Sequence, residues 1–212
     1  MSAQHQENSA PRPADQDQIE SVLRLINREL WIVTSAHANR RGGLVATWIS
    51  EASIDPRHPV MAAGIAPNHF TAHLIDQSGA FALHLLRPDQ AAVAWNFCRD
   101  SGENRDKLAG VDYRAEASGS PILGECLAWL DCRVFARVAT GDRLYYWADV
   151  LAGQRLAEGQ PLREREFFDS ADSEQKRLLA ERRWLDIELQ QPGWSRWRAD
   201  LPEGQRPVSR EA

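Results

Sequence analysis

The chain has few cysteines, and it lacks the short motifs of several common enzyme classes. Its 212 residues include three cysteines without CxxC spacing, which favours free thiols in a reducing compartment over a disulfide framework. No GxSxG, Walker or GxGxxG pattern occurs, which argues against a nucleophile elbow and against a Rossmann dinucleotide site. HExxH is also absent, and we predict no metal site.

Hydropathy and charge argue against two further classes of protein. No apolar run reaches the ~18 residues of a membrane-spanning helix, and the polar N-terminus lacks the apolar core of a signal peptide. The formal net charge is −5, without the basic stripe of a nucleic-acid binder. We therefore expect a soluble, cytoplasmic protein that has neither a membrane nor a nucleic acid as its partner.

The hydrophobic pattern predicts a mainly β protein with helical insertions, built as a closed antiparallel barrel. Strands are predicted at residues 30–36, 43–50, 60–66, 80–86, 127–140 and 144–151. Helices are predicted at residues 15–29, 68–79, 91–97, 103–108 and 172–190. The predicted organisation is a disordered lead (1–14), one barrel domain (15–170), and a C-terminal helix and tail (171–212).

The segment at residues 42–56, GGLVATWISEASIDP, carries the most specific chemistry. It begins with two glycines, which allow a ligand close to the backbone, and then presents the hydroxyls of Thr47, Ser50 and Ser53. Hydroxyl and backbone N–H groups at a strand end suit an anionic, planar cofactor. The competing interpretation is that these hydroxyls only cap the backbone.

Charged and polar groups flank this segment. Asn68 is predicted to cap the helix that follows the third strand, and the free N–H groups of a helix start attract phosphate. Arg40 and Arg41 lie at the preceding hairpin tip, where they either contact the same phosphate or form a solvated turn.

Two histidines are candidates for a cofactor contact, while a tryptophan pair suggests a cover. His69 and His73 have i,i+4 spacing but lack a third ligand nearby, so we prefer a cofactor contact by His69 to metal binding. His84 either contacts the cofactor or is a hydrogen-bonded strand residue. Trp194 and Trp197, spaced i,i+3, indicate a lid, a clasp on a partner subunit, or local packing.

In order, the motifs LWIVTS, GGLVATWISEASIDP, PNHFTAHLI, SGAFALHLL, RDKLAG, LAWLDCRV and TGDRLYYWADV resemble those of the flavin reductase-like, FMN-binding split-barrel proteins. The likeness covers about residues 25–170 and is colinear. It implies a split β-barrel, a homodimer with flavin near the subunit interface, and NAD(P)H-dependent reduction of FMN, with FAD as a possible alternative. It also suggests a partner monooxygenase that receives reduced flavin.

The resemblance implies which residues face the cofactor. The family's T-A-x-W/F-x-x-x-S segment matches Val45, Ala46, Thr47, Trp48 and Ser53. Its helix-start positions match Asn68, His69 and Thr71. The chain departs from the family at two places, with His84 where the strand usually carries asparagine and Arg143 where many relatives carry histidine.

The function that this resemblance implies is that of an NAD(P)H:flavin oxidoreductase, in which hydride passes from nicotinamide to flavin N5. No catalytic acid or base is assigned, because hydride transfer to a flavin needs the two rings positioned rather than a proton relay. Two alternatives are a non-reductase FMN-binding or electron-transfer protein that docks a partner, and a structural split-barrel dimer that binds no flavin.

Overall fold

The computed structural model describes residues 15–202 and residue 206. The strands are β1 (Trp31–His37), β2 (Arg40–Ala46), β3 (Ile49–Glu51), β4 (Val60–Ile65), β5 (Ala80–Leu85), β6 (Tyr113–Ala115), β7 (Pro121–Leu123), β8 (Ala128–Ala139) and β9 (Leu144–Arg155). The helices are α1 (Gln16–Leu23), α2 (Phe70–Ser78), α3 (Ala91–Cys98), α4 (Glu164–Asp169) and α5 (Ser173–Ala199). The predicted N-terminal lead and residues 203–205 and 207–212 of the predicted tail lie outside the described residues.

One curled antiparallel sheet forms the body of the molecule and confirms the split-barrel prediction. Its seven strands lie in the order β2-β1-β5-β8-β9-β4-β3, so β2 and β3 are its opposite edges. Only Thr47 and Trp48 separate these two strands in the chain. Because so short a link joins the two edges, the sheet must curl until the end of β2 lies near the start of β3. The Gly64 N–H donates to the Trp48 carbonyl at 2.8 Å and ties the link to β4.

The predicted strand at residues 43–50 is therefore wrong as a single element. The chain divides at Thr47, and its two halves pair with different partners, β2 with β1 and β3 with β4. An unbroken strand would leave the two edges of the sheet apart. The break places Thr47 and Trp48 at the seam, which we define as the region where β2, β3 and the start of α2 meet.

The central strands are buried on both faces and separate two hydrophobic clusters. Side chains alternate across a strand, so Ile32 packs in one cluster with Phe97 and its neighbour Val33 packs in the other with Phe81. Strand β5 is buried from Ala80 to His84, which explains why its sequence is apolar except at His84. The core thus fills both sides of the sheet.

Helix α2 packs on β1 and β2, and its start lies at the seam. It ends at Gly79, whose φ of 66° is left-handed, as the sequence predicted. Its N-cap residue is His69 rather than Asn68, and no side chain caps the first turn. The Asn68 side chain contacts α5 instead: its Nδ2 donates to Asp186 at 3.1 Å, and its Oδ1 accepts from Gln190 Nε2 at 3.5 Å.

Further boundaries differ from the sequence-based expectations. Residues 103–108 form turns rather than a helix, stabilised by the Asp106 carboxylate accepting from the Leu108 N–H at 3.0 Å. Strands β6 and β7 and helix α4 were not predicted. Helix α5 continues through Pro192 to Ala199, so the described start of the predicted tail is helical. Across the described residues, no helix is both long and apolar enough to cross a membrane.

Candidate functional site

A cavity of about 210 Å³ opens at the seam. Its wall combines the end of β2, the link to β3, the end of β4, the start of α2, the β8–β9 hairpin and one residue of α5. The lining residues are Leu44, Val45, Ala46, Thr47, Trp48, Gly64, Ile65, Ala66, His69, Arg143 and Asp186. Six of the predicted cofactor-binding positions, Val45, Ala46, Thr47, Trp48, His69 and Arg143, are thus brought together.

Glycine at position 64 allows the narrow approach between the link and the hairpin. A Cβ added to Gly64 would lie 3.0 Å from the Tyr145 ring and 3.3 Å from the Trp48 Cβ. Trp48 packs over this glycine and still exposes 40% of its surface. An exposed indole beside an open strand end offers an aromatic surface to a planar ligand.

Arg143 supplies a cation at the mouth of the cavity. Its guanidinium carbon lies 4.4 Å from the centroid of the Trp48 ring, within the range of a cation–π contact. The same group donates to the backbone carbonyl of Asp142 at 2.7 Å and to the Gln190 side chain of α5. The guanidinium is therefore oriented by both the hairpin and α5.

A carboxylate from α5 reaches the start of α2. One oxygen of Asp186 accepts from Asn68 Nδ2 at 3.1 Å, and the other lies 3.9 Å from His69 Nε2. The neighbouring His69 ring, together with the hydrogen bond from Asn68, holds the pKa of Asp186 below its usual range although burial opposes this effect. Asn68 is exposed and borders the cavity through this contact, but it does not line the cavity wall.

Three of the predicted hydroxyls lie away from the cavity wall. Ser50 is an exposed residue of β3. Ser53 follows β3 and accepts from the Asp55 N–H at 3.2 Å, which is the backbone-capping role that we considered as the alternative. Thr71 is buried in the first turn of α2. Of the four hydroxyl residues predicted to bind the cofactor, Thr47 is the one that lines the cavity.

His84 does not reach the cavity, so its predicted cofactor contact is corrected. The side chain is fully buried, its Nδ1 is 3.1 Å from the Ile32 carbonyl, and its Nε2 accepts from the Leu123 N–H at 3.1 Å. These partners require the neutral tautomer with the proton on Nδ1. Burial lowers the pKa of His84 to about 4, although the hydrogen bond to Ile32 opposes the shift.

The arginines of the hairpin tip line a second cavity, of about 370 Å³, together with Phe70 at the start of α2. Arg41 forms an ion pair with Asp106 at 2.6 Å, and the Arg40 guanidinium lies 4.4 Å from the centroid of the Phe70 ring. Neither Arg40 nor Arg41 lines the seam cavity. The cavity lining therefore gives no support to their predicted contact with the same phosphate as Asn68.

Sequence reasoning missed the contribution of α5. Arg182, Asp186, Gln190 and Gly193 follow at spacings of four, four and three residues, which places them on one face of the helix. This stripe contacts Cys98, Asn68, Arg143 and Gly141 in turn. The polar spacing was visible in the sequence, but nothing local indicated what the stripe would contact.

The chain is similar to known proteins over the part that forms most of the cavity. The model of the flavin reductase like domain matches residues 23–166, which include every cavity residue except Asp186. Diflavin flavoprotein A 1 of Synechocystis is 28% identical over 145 residues, which cover 68% of this chain and 25% of that protein. The chain thus spans about a quarter of the length of this curated relative.

Solved structures share the fold. Nitrilotriacetate monooxygenase component B from Mycobacterium thermoresistibile superposes with a TM-score of 0.61 at 28% identity, over 70% of this chain and 82% of that chain. The NADH:FAD oxidoreductase from Streptomyces globisporus gives a TM-score of 0.63 at 20% identity, over 73% and 92%. The second likeness extends to the fold alone.

Proposed function

Because this chain belongs to the flavin reductase-like family, we propose that it is an NAD(P)H-dependent flavin reductase that binds FMN at the seam. The observation that carries this proposal is the cavity itself, which gathers six positions expected to face the cofactor from three separate parts of the chain. The Trp48 indole and the Arg143 guanidinium both line this cavity, where they can contact a planar, anionic ligand.

The donor set of the cavity fits a flavin. The backbone of Val45 and Ala46 would hold the polar edge of the ring, and the Thr47 side chain would approach the ribityl-phosphate. Trp48 and Ile65 would provide apolar contact. His69 and Arg143 would face the phosphate. Bound flavin supplies the acceptor for hydride, and the residues of the chain bind it, orient it and exclude water.

A homodimer forms part of this proposal. The cavity of about 210 Å³ is smaller than the roughly 300–1,000 Å³ usual for ligand pockets. A single chain would therefore enclose only part of a flavin and its reductant, and a second subunit would cover the remainder. Sedimentation of the protein with and without FMN tests this expectation.

The physiological acceptor is proposed by analogy. One related structure is named as a component of a monooxygenase, and reduced flavin is the species that such a partner would consume. Diflavin flavoproteins, in contrast, are longer than this chain, so we do not propose their whole activity for it.

The decisive experiment measures flavin binding and nicotinamide oxidation together. We expect the protein to quench FMN fluorescence and to oxidise NADH or NADPH in air when FMN is supplied. Trp48→Ala should weaken FMN binding by about tenfold because it removes the aromatic surface. Trp184→Ala is the matched control, since Trp184 is 66% exposed on α5 and lies outside the cavity.

The outcomes separate the alternatives. Quenching of FMN without oxidation of either nucleotide would favour a flavin-holding or electron-transfer protein. A protein that leaves FMN fluorescence unchanged would favour the structural dimer and would reject the proposal. Equal effects of the two tryptophan variants would place the flavin elsewhere on the molecule.

A further inference from the structure

Helix α5 lies beyond residues 23–166, the part of the chain that the family model matches, yet it contributes a charged group to the seam cavity. The group is the carboxylate of Asp186. Its position is set by three anchors along one face of the helix, which contact Cys98, Arg143 and Gly141. The carboxylate is therefore a fixed feature of the cavity.

The first anchor is an arginine one helical turn before Asp186. Arg182 donates to the Cys98 carbonyl at 3.1 Å and lies 3.4 Å from a carboxylate oxygen of Asp100. The second is Gln190, one turn after Asp186, which is buried and accepts from Arg143. Anchors on both sides restrict movement of the carboxylate away from the cavity.

The third anchor is a contact between two glycine backbones. A Cβ added to Gly141 would collide with the Gly193 carbonyl, and a Cβ added to Gly193 would collide with the Gly141 carbonyl. Only residues without a side chain let α5 approach the β8–β9 hairpin so closely. This contact presses α5 against the hairpin that carries Arg143.

The carboxylate engages the groups that a flavin phosphate would need. Asp186 accepts from Asn68 at 3.1 Å and lies 3.9 Å from His69 Nε2. Carboxylate and phosphate are both anions that use N–H donors of this kind. An incoming phosphate would find the Asn68 amide already bonded and would also face the negative charge of Asp186 beside His69.

We propose that Asp186 is a specificity-determining residue that disfavours ligands carrying a phosphate at the start of α2, and so reduces the preference of the site for FMN over riboflavin. This inference rests on the proposed function, because it assigns the selectivity of the same site. The two flavins share ring and ribityl chain and differ only in the phosphate, so their affinity ratio isolates the effect.

The test is Asp186→Asn, which removes the charge and retains an oxygen that can accept from Asn68. We expect FMN to bind about tenfold more tightly at low salt, since loss of a nearby like charge is worth this much at an intermediate dielectric constant. Riboflavin affinity should stay within about twofold. The gain for FMN should shrink as salt is raised, because screening weakens the repulsion in the wild type.

Glu188→Gln is the matched control. It makes the same change of charge on the same helix, at an exposed residue two positions away that faces away from the anchoring stripe. We expect it to leave both affinities unchanged. Thermal unfolding of the three proteins should coincide, since the anchors of α5 are intact in each.

Two results would overturn the inference. One is an equal change in FMN and riboflavin affinity, which would make Asp186 a ring contact or a structural residue. The other is weaker FMN binding in Asp186→Asn, which would make the carboxylate a helper of the phosphate.

A second readout distinguishes this failure from failure of the proposed function. Inorganic phosphate should raise the midpoint of thermal unfolding more in Asp186→Asn than in the wild type. If this happens while neither flavin binds, the anion-selecting role stands and the flavin reductase proposal falls. If phosphate has the same effect on both proteins, the anion-selecting role is rejected whatever the flavins do.

Discussion

Polar side chains have opposite surroundings in two neighbouring regions. One is the seam, and the other is the pair of strands β1 and β5, which we call the wall. In the wall, His84 and Ser35 are fully buried and bond to strand backbone, as in the contact from Ser35 Oγ to the Ala80 carbonyl at 2.8 Å. At the seam, Trp48, His69 and Arg143 are partly exposed and contact one another or α5. Polar groups of the wall hold the strands, while those of the seam face a space that a ligand can enter.

Removing a wall group should therefore affect stability most. His84→Leu leaves the Leu123 N–H and the Ile32 carbonyl without the imidazole, and we expect a loss of about 3 kcal/mol in the free energy of unfolding. Urea denaturation measures this loss. His73→Leu is the control, because His73 is exposed on α2 and should change stability by no more than about 0.5 kcal/mol.

The effect of His84→Leu should depend on pH. The pKa of His84 is about 4 in the fold, below the ordinary value of 6.5, so the unfolded chain binds the proton first as pH falls. The stabilisation by neutral His84 is complete above about pH 6.5 and is lost progressively towards pH 4. The gap in stability between the wild type and His84→Leu should narrow over this window. A constant gap would contradict the burial of the neutral ring.

The next largest effect is expected where α5 meets the hairpin. Gly141→Ala combines a left-handed φ of 84° with the collision against Gly193, and we expect a loss of about 2–3 kcal/mol. Gly119→Ala has a similar φ of 81° and nothing within 4 Å of the added Cβ, so it should lose only about 1 kcal/mol. The difference between the two variants measures the packing of α5, and faster proteolysis within α5 should accompany only the first.

The smallest change in free energy is expected for a substitution that affects ligand binding and not folding. Thr47→Val should leave unfolding unchanged and weaken FMN binding by about 1–2 kcal/mol if its hydroxyl bonds the cofactor. Thr47→Ser keeps the hydroxyl and should bind FMN as the wild type does. An unchanged dissociation constant for Thr47→Val would assign the side chain to packing and would weaken the distinction between wall and seam.

Local sequence patterns were sufficient to predict most strands and the helix that ends at Gly79. Alternating side chains and a helix-ending glycine can both be recognised from adjacent residues. They were insufficient for the break after Ala46, since only the curl of the whole sheet requires the chain to change partners there. The end of α5 was missed for a related reason. The sequence predicted a helix that ends at residue 190, whereas α5 continues to Ala199 and its Gly193 packs against Gly141 of the β8–β9 hairpin.

The candidate site divides in the same way. Val45 to Trp48 were found because they are contiguous and match a family motif. The two roles left open for His84 could not be separated from the sequence, because an apolar strand gives no sign of which face meets a ligand and which meets β7. Asp186 could not be found from its neighbours, because its partners Asn68 and His69 are more than one hundred residues away.

The two-residue link between β2 and β3 has a consequence for how occupancy and folding are coupled. A ligand bound beside Trp48 would contact the end of β2, the link and the end of β4, so it would also stabilise the curl of the sheet. The unfolded chain does not hold these segments together, so it offers the ligand no such site. The midpoint of thermal unfolding should therefore rise as ligand is added, and the region around the link between β2 and β3 should be the last to unfold.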